Sequence, residues 1–123
     1  HAFFVGHRFP VGCVIRLKKL STLLGVNNLL SAYRLNITGN GGTALTPDFY
    51  SSPGATQYPY IYIPVSETDA ISTARMFYRN PAGQTTELSR VDSFGDNYAN
   101  EYIVVGNSFI CTVPNPGVFF VTR

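Results

Sequence analysis

Charge is scarce in this chain. Only 13% of its 123 residues are Asp, Glu, Lys or Arg, about half the ~25% of an ordinary globular protein. That shortage excludes a coiled coil, a charged disordered tail and a helix bundle built on Ala, Glu and Lys. Tryptophan is absent, and histidine and cysteine occur twice each. Because His1 and His7 both lie at the N-terminal end and no G-x-S-x-G, H-E-x-x-H, Walker-type or C-x-x-C pattern occurs, a triad, zinc site or phosphate loop has little to be built from. No apolar run approaches the ~20 residues that a membrane-spanning helix needs, and the N-terminus lacks the basic, apolar, small-residue order of a signal peptide. Cys13 and Cys111 each stand in an apolar run, far from metal-ligand spacing. Two free thiols are expected there, since an unpaired cysteine behaves as a small buried hydrophobe.

Acids are missing altogether from residues 1–47, which carry Arg8, Arg16, Lys18, Lys19 and Arg34. From Asp48 onward four arginines face seven acids. The two parts are expected to pair their charges, within one subunit or across an interface. A nucleic-acid binder would show a denser Lys/Arg stripe.

What the chain has instead is aromatic and turn chemistry: nine Phe, eight Tyr, 11 Gly and eight Pro. Apolar residues mostly follow a two-residue period, broken about every ten residues by clusters such as Asn80-Pro81-Ala82-Gly83 and Pro114-Asn115-Pro116-Gly117, a pattern of many short strands. Nine strands are predicted, over residues 2–5, 12–17, 29–38, 58–65, 71–79, 85–91, 101–105, 108–113 and 118–123. The segment 39–57 reads as a long surface excursion. Leu17, Leu20, Leu23 and Leu24 recur at helical spacing before Gly25, which predicts one short helix over 17–24. The fold class is therefore all-β, a single antiparallel β-sandwich domain over residues 1–123 with jelly-roll or Greek-key crossings. In Val118-Phe119-Phe120-Val121 and Tyr102-Ile103-Val104-Val105 both alternating sets are apolar. A second layer is needed outside such strands, and another subunit would supply it, so a homo-oligomer, first a trimer, is expected.

Alternation places Tyr58, Tyr60 and Tyr62 on one strand face and Ile61, Ile63 and Val65 on the other. The tyrosine row suits a sugar ring, a peptide or a partner subunit, and Pro59 and Pro64 predict an edge strand. Arg75 and Arg79 share a face with Phe77 and offer two guanidinium forks to an anion, although Glu87 across the hairpin is a ready partner for them. Three further patterns carry weaker chemistry: oxygen donors in residues 92–101 without EF-hand spacing, a sequon at Asn36-Ile37-Thr38, and a terminal His1 suited to copper. The reading that follows is a non-enzymatic attachment or receptor-binding head, a trimeric knob at the tip of a viral or phage fibre. It needs no cofactor or metal. Its partners are other copies of itself and a host-surface receptor or glycan, with no nucleic acid and no membrane insertion, and its place is extracellular or on a virion surface. The expected contact residues are Tyr58, Tyr60, Tyr62, Arg75 and Arg79. A lectin-like carbohydrate-binding sandwich and a structural subunit of a capsid, tail or pilus are the alternatives.

Overall fold

The computed structural model describes residues 3–5, 14–38, 60–93, 100–112 and 116–123. Among them ten strands form: β1 (Phe3–Val5), β2 (Val14–Lys19), β3 (Leu29–Thr38), β4 (Tyr60–Pro64), β5 (Arg75–Arg79), β6 (Thr85–Glu87), β7 (Ser89–Arg90), β8 (Glu101–Val105), β9 (Ser108–Thr112) and β10 (Gly117–Thr122). They make two five-stranded sheets, one ordered β1-β4-β9-β8-β7 and the other β2-β3-β10-β5-β6. Every pairing is antiparallel except the short parallel one between β7 and β8. The all-β, two-sheet architecture read from the two-residue apolar period is what the chain adopts.

The inner faces meet in one core. Leu35, Met76, Phe119 and Val121 come from the second sheet and Ile61, Ile63, Phe109 and Cys111 from the first, all fully buried. Tyr102 stacks on Phe109 at 5.8 Å between ring centroids, within the range where offset aromatic pairs attract. Cys111 is a free thiol, and burial pushes its pKa far up, which leaves it an inert core hydrophobe.

Three expectations need correction. Residues 17–24 form no helix: β2 runs on through Lys19, and the chain then closes a single turn in which the Val26 amide donates to the Leu23 carbonyl at 3.1 Å, with Gly25 at φ +76°. Pairing of β2 along β3, Leu17 opposite Leu35 and Lys19 opposite Tyr33, outweighs the helical spacing of the leucines. The segment 85–91 is not one strand, because it changes sheet at Leu88, whose buried side chain and amide bond to the Met76 carbonyl anchor the crossing. And β4 is interior, between β1 and β9. Val65 donates to the Asn107 carbonyl, so strand alternation turns the amide position of Pro64 the other way, towards β1. The described register with β1 runs from Phe3 opposite Tyr62 to Val5 opposite Tyr60.

A second apolar cluster lies outside the core. Ala32, Val118 and Phe120 face outward from β3 and β10, yet Phe120 is only 2% exposed, because Leu20, Leu23, Val26 and Leu29 fold back over them. Phe77 stacks on Phe120 at 5.1 Å. The outside layer that the doubly apolar β10 demands is thus supplied by its own chain, and one ground for expecting a second subunit there is removed.

Candidate functional site

The expected contact residues fall on opposite faces of the sandwich. Tyr60 and Tyr62 are half-buried on the outer face of the first sheet, opposite Thr112 and Ile110 of β9, while Ile61, Ile63 and Val65 are buried in the core. Tyr58 lies outside the described residues, as do Pro59, His1, His7, Cys13, segment 39–57 and most of the 92–101 loop. Among the described residues no three His, Cys, Asp or Glu side chains gather to hold a metal ion.

Arg75 and Arg79 lie on the outer face of the second sheet. Arg75 is engaged: its Nε donates to Glu87 Oε2 at 2.9 Å and its second fork arm to the other carboxylate oxygen. The hydrogen bond and charge of Glu87 raise the Arg75 pKa, and the same hydrogen bond holds the Glu87 carboxyl below its ordinary range. The hairpin pairing read from the sequence is therefore what forms. Both side chains are about half exposed, so this pair orders the surface more than it stabilises the fold.

Arg79 is placed differently. Its Nε donates to Thr85 Oγ1 and its Nη1 to the Leu24 carbonyl, both at 2.9 Å, with the guanidinium 5.6 Å from the centre of the Phe120 ring. These bonds fix the guanidinium and tether the 20–29 loop at once. They also leave Nη2 over. Val118 of β10 stands between Arg79 on one side and Arg34 of β3 on the other in the strand registers, so the two arginines flank one groove. This groove, of about 490 Å³, is lined by Leu23, Leu24, Arg34, Asn36, Arg79 and Asn80 among others.

Local chemistry shapes it. The β5–β6 hairpin turns through Asn80, whose Oδ1 accepts from the Gln84 amide and whose Nδ2 donates to Gln84 Oε1, with Gly83 at φ +92°. The floor is tight, since a Cβ at Gly117 would lie 2.5 Å from the Arg79 carbonyl oxygen and 2.8 Å from Tyr78 Cε1. Only glycine lets β10 begin this close to β5.

Arg75 pairs with Glu87 and Arg123 with Asp69, in each case within the acidic part. Arg34 is exposed and has no hydrogen-bond or ion-pair partner among the described residues. Sequence reasoning missed Arg34, Asn36 and Asn80. The first two were signalled by polar alternation along β3, but their meeting with Arg79 depends on β10 inserting between β3 and β5. Compared with protein-family models, curated proteins and solved structures, the chain matches none of them.

Proposed function

We propose that this chain is a non-enzymatic attachment module that holds an anionic ligand, such as the carboxylate or sulfate of a glycan, in the Arg34–Arg79 groove. The observation that carries the reading is the placing of two guanidiniums from two different strands on either side of one groove. Arg79 is immobilised by its own hydrogen bonds, so little side-chain freedom remains to be lost when a ligand binds. Arg34 has donors to spare, and a planar fork recognises carboxylate or sulfate oxygens with two bonds. Asn36 and Asn80 add amide donors and acceptors of the kind that fix sugar hydroxyls. Donors arranged in this way suit holding a ligand.

The test is binding of the unglycosylated full chain to acidic and neutral glycans by titration calorimetry. Acidic glycans are expected to bind and their neutral counterparts not. Arg34→Ala should lower the affinity about tenfold, one lost charge-assisted hydrogen-bonded contact, with the melting temperature unchanged. Equal binding of neutral and acidic glycans, or no loss in Arg34→Ala, would overturn the proposal.

A further inference from the structure

The geometry points to a ligand larger than one acidic group: we propose that the groove is the end of a track across β3 and β2, and that a linear polysaccharide bearing repeated sulfate or carboxylate groups lies along it. This rests on the reading of the groove given above. In the strand registers Arg34 is directly opposite Lys18, and Asn36 is opposite Arg16. Alternation therefore puts Arg16, Lys18, Arg34 and Arg79 on the same outer face. Neighbouring strands are about 4.8 Å apart and alternate residues of one strand about 6.7 Å apart. On those spacings Lys18 stands about 5 Å from Arg34, Arg16 about 7 Å from Lys18, and Arg79 about 10 Å from Arg34 on the far side.

Arg16, Lys18 and Arg34 are exposed and without ion-pair or hydrogen-bond partners among the described residues. Like charges directly opposite one another on a sheet repel, and Lys18 and Arg34 are such a pair. The acid that the registers place on this face among the described residues, Glu87, is already held by Arg75. A run of anionic groups on the ligand would supply the missing counter-charge.

A polysaccharide fits this face better than nucleic acid does. Binding of single strands relies on bare aromatic rings for base stacking, and the rings here are covered. Phe120 is buried under the 20–29 loop and Arg79, and Phe77 stacks on Phe120 with the Arg75 guanidinium 5.4 Å from its centre. Duplex readout needs a helix or a two-stranded ribbon that enters a groove, whereas this is the face of a five-stranded sheet.

The test uses the full unglycosylated chain with a heparin hexasaccharide and disaccharide, and with a polymer bearing carboxylates alone. The hexasaccharide should bind at least tenfold more tightly than the disaccharide, with log affinity against log salt falling at a slope of about −3. Arg16→Ala with Lys18→Ala should cost the hexasaccharide about fivefold for each cation and cost the disaccharide distinctly less. If that double variant melts early, Arg16→Gln with Lys18→Gln replaces it. A double variant that binds the hexasaccharide like the wild type overturns the track while the groove reading survives. Arg34→Ala without effect on either oligosaccharide overturns both. Single- or double-stranded nucleic acid of equal charge binding as tightly overturns the polysaccharide class. Binding of the carboxylate polymer as well as heparin identifies charge repeat as what is recognised, binding of heparin alone identifies sulfate, and binding of neither overturns the proposal.

Discussion

Phe120, on the outer face of the sheet that holds β10, is 2% exposed, whereas Val105, on the outer face of the sheet that holds β8, is 60% exposed. Both come from runs that are apolar at every position. The difference lies in what the chain lays over them. On the first face residues 20–29 bring Leu20, Leu23, Val26 and Leu29 down on Phe120 and Val118, and Arg79 tethers that loop through the Leu24 carbonyl. On the other, Ile110 and Thr112 near β4 are buried while the β8–β9 hairpin end stands open. An apolar strand thus asks for a cover without naming it, and the β2–β3 loop with the first residue of β3 is enough to provide one.

The largest effect that separates the two faces is a truncation under the loop. Phe120→Ala removes a buried ring together with its stacking on Phe77, and should cost about 3–5 kcal/mol, the range for a core phenylalanine. Val105→Ala should change stability by no more than about 0.5 kcal/mol. Denaturant unfolding of both variants measures the contrast. Similar midpoints would mean that the 20–29 loop does not act as part of the core.

That loop also marks the limit of what the sequence discloses. The short apolar runs between turn clusters marked nine segments, a local property of the chain; 29–38 and 101–105 agree with the strands to the residue, whereas 85–91 divides into β6 and β7 and 71–79 becomes a strand only at Arg75. The burial of Ile61, Ile63 and Val65 and the pairing of Arg75 with Glu87 were legible for the same reason. The leucines at 17, 20, 23 and 24 misled, since a strand followed by a covering loop also needs apolar residues at irregular spacing. From its place near Arg75 on one strand face Arg79 reads as a ligand contact, yet the arginine across the groove from it is Arg34, 45 positions away in the chain. Nothing local records that meeting, which exists only because the last strand slots between the third and the fifth.

A smaller effect sharpens the same comparison at the point where β10 begins. Tyr78 Oη donates to the Pro116 carbonyl at 2.6 Å, and its ring tilts against Phe119. Tyr78→Phe should cost about 1 kcal/mol, the worth of one hydrogen bond. Burial raises the Tyr78 pKa, and that of Tyr102, above 10. A group whose folded pKa is raised contributes stability that is complete below its unfolded pKa, about 10, and is lost as pH rises through the folded value. Unfolding followed from pH 8 to 11 should therefore show a loss of stability that is shallower in Tyr78→Phe. An alkaline limb of the same slope in both proteins would place the titration elsewhere.

The smallest effect concerns charge. Glu87 has its pKa lowered by the hydrogen bond from Arg75, so its contribution is present above the unfolded carboxylate pKa near 4.3 and is lost as pH falls through the lower folded value. Both partners are exposed, and solvent screens the pair. Glu87→Gln should flatten the acid limb of stability below about pH 4 by less than Tyr78→Phe flattens the alkaline one. It does something more useful for the proposed ligand, because it removes an acid from the face that carries Arg16, Lys18, Arg34 and Arg79 and releases the Arg75 guanidinium towards solvent. Affinity for the heparin hexasaccharide should then rise by up to about fivefold, the worth of one added cation beside an anionic partner. Affinity that stays level while the acid limb flattens would show that Arg75 lies beyond the reach of the ligand, and would fix the end of the track at Arg79.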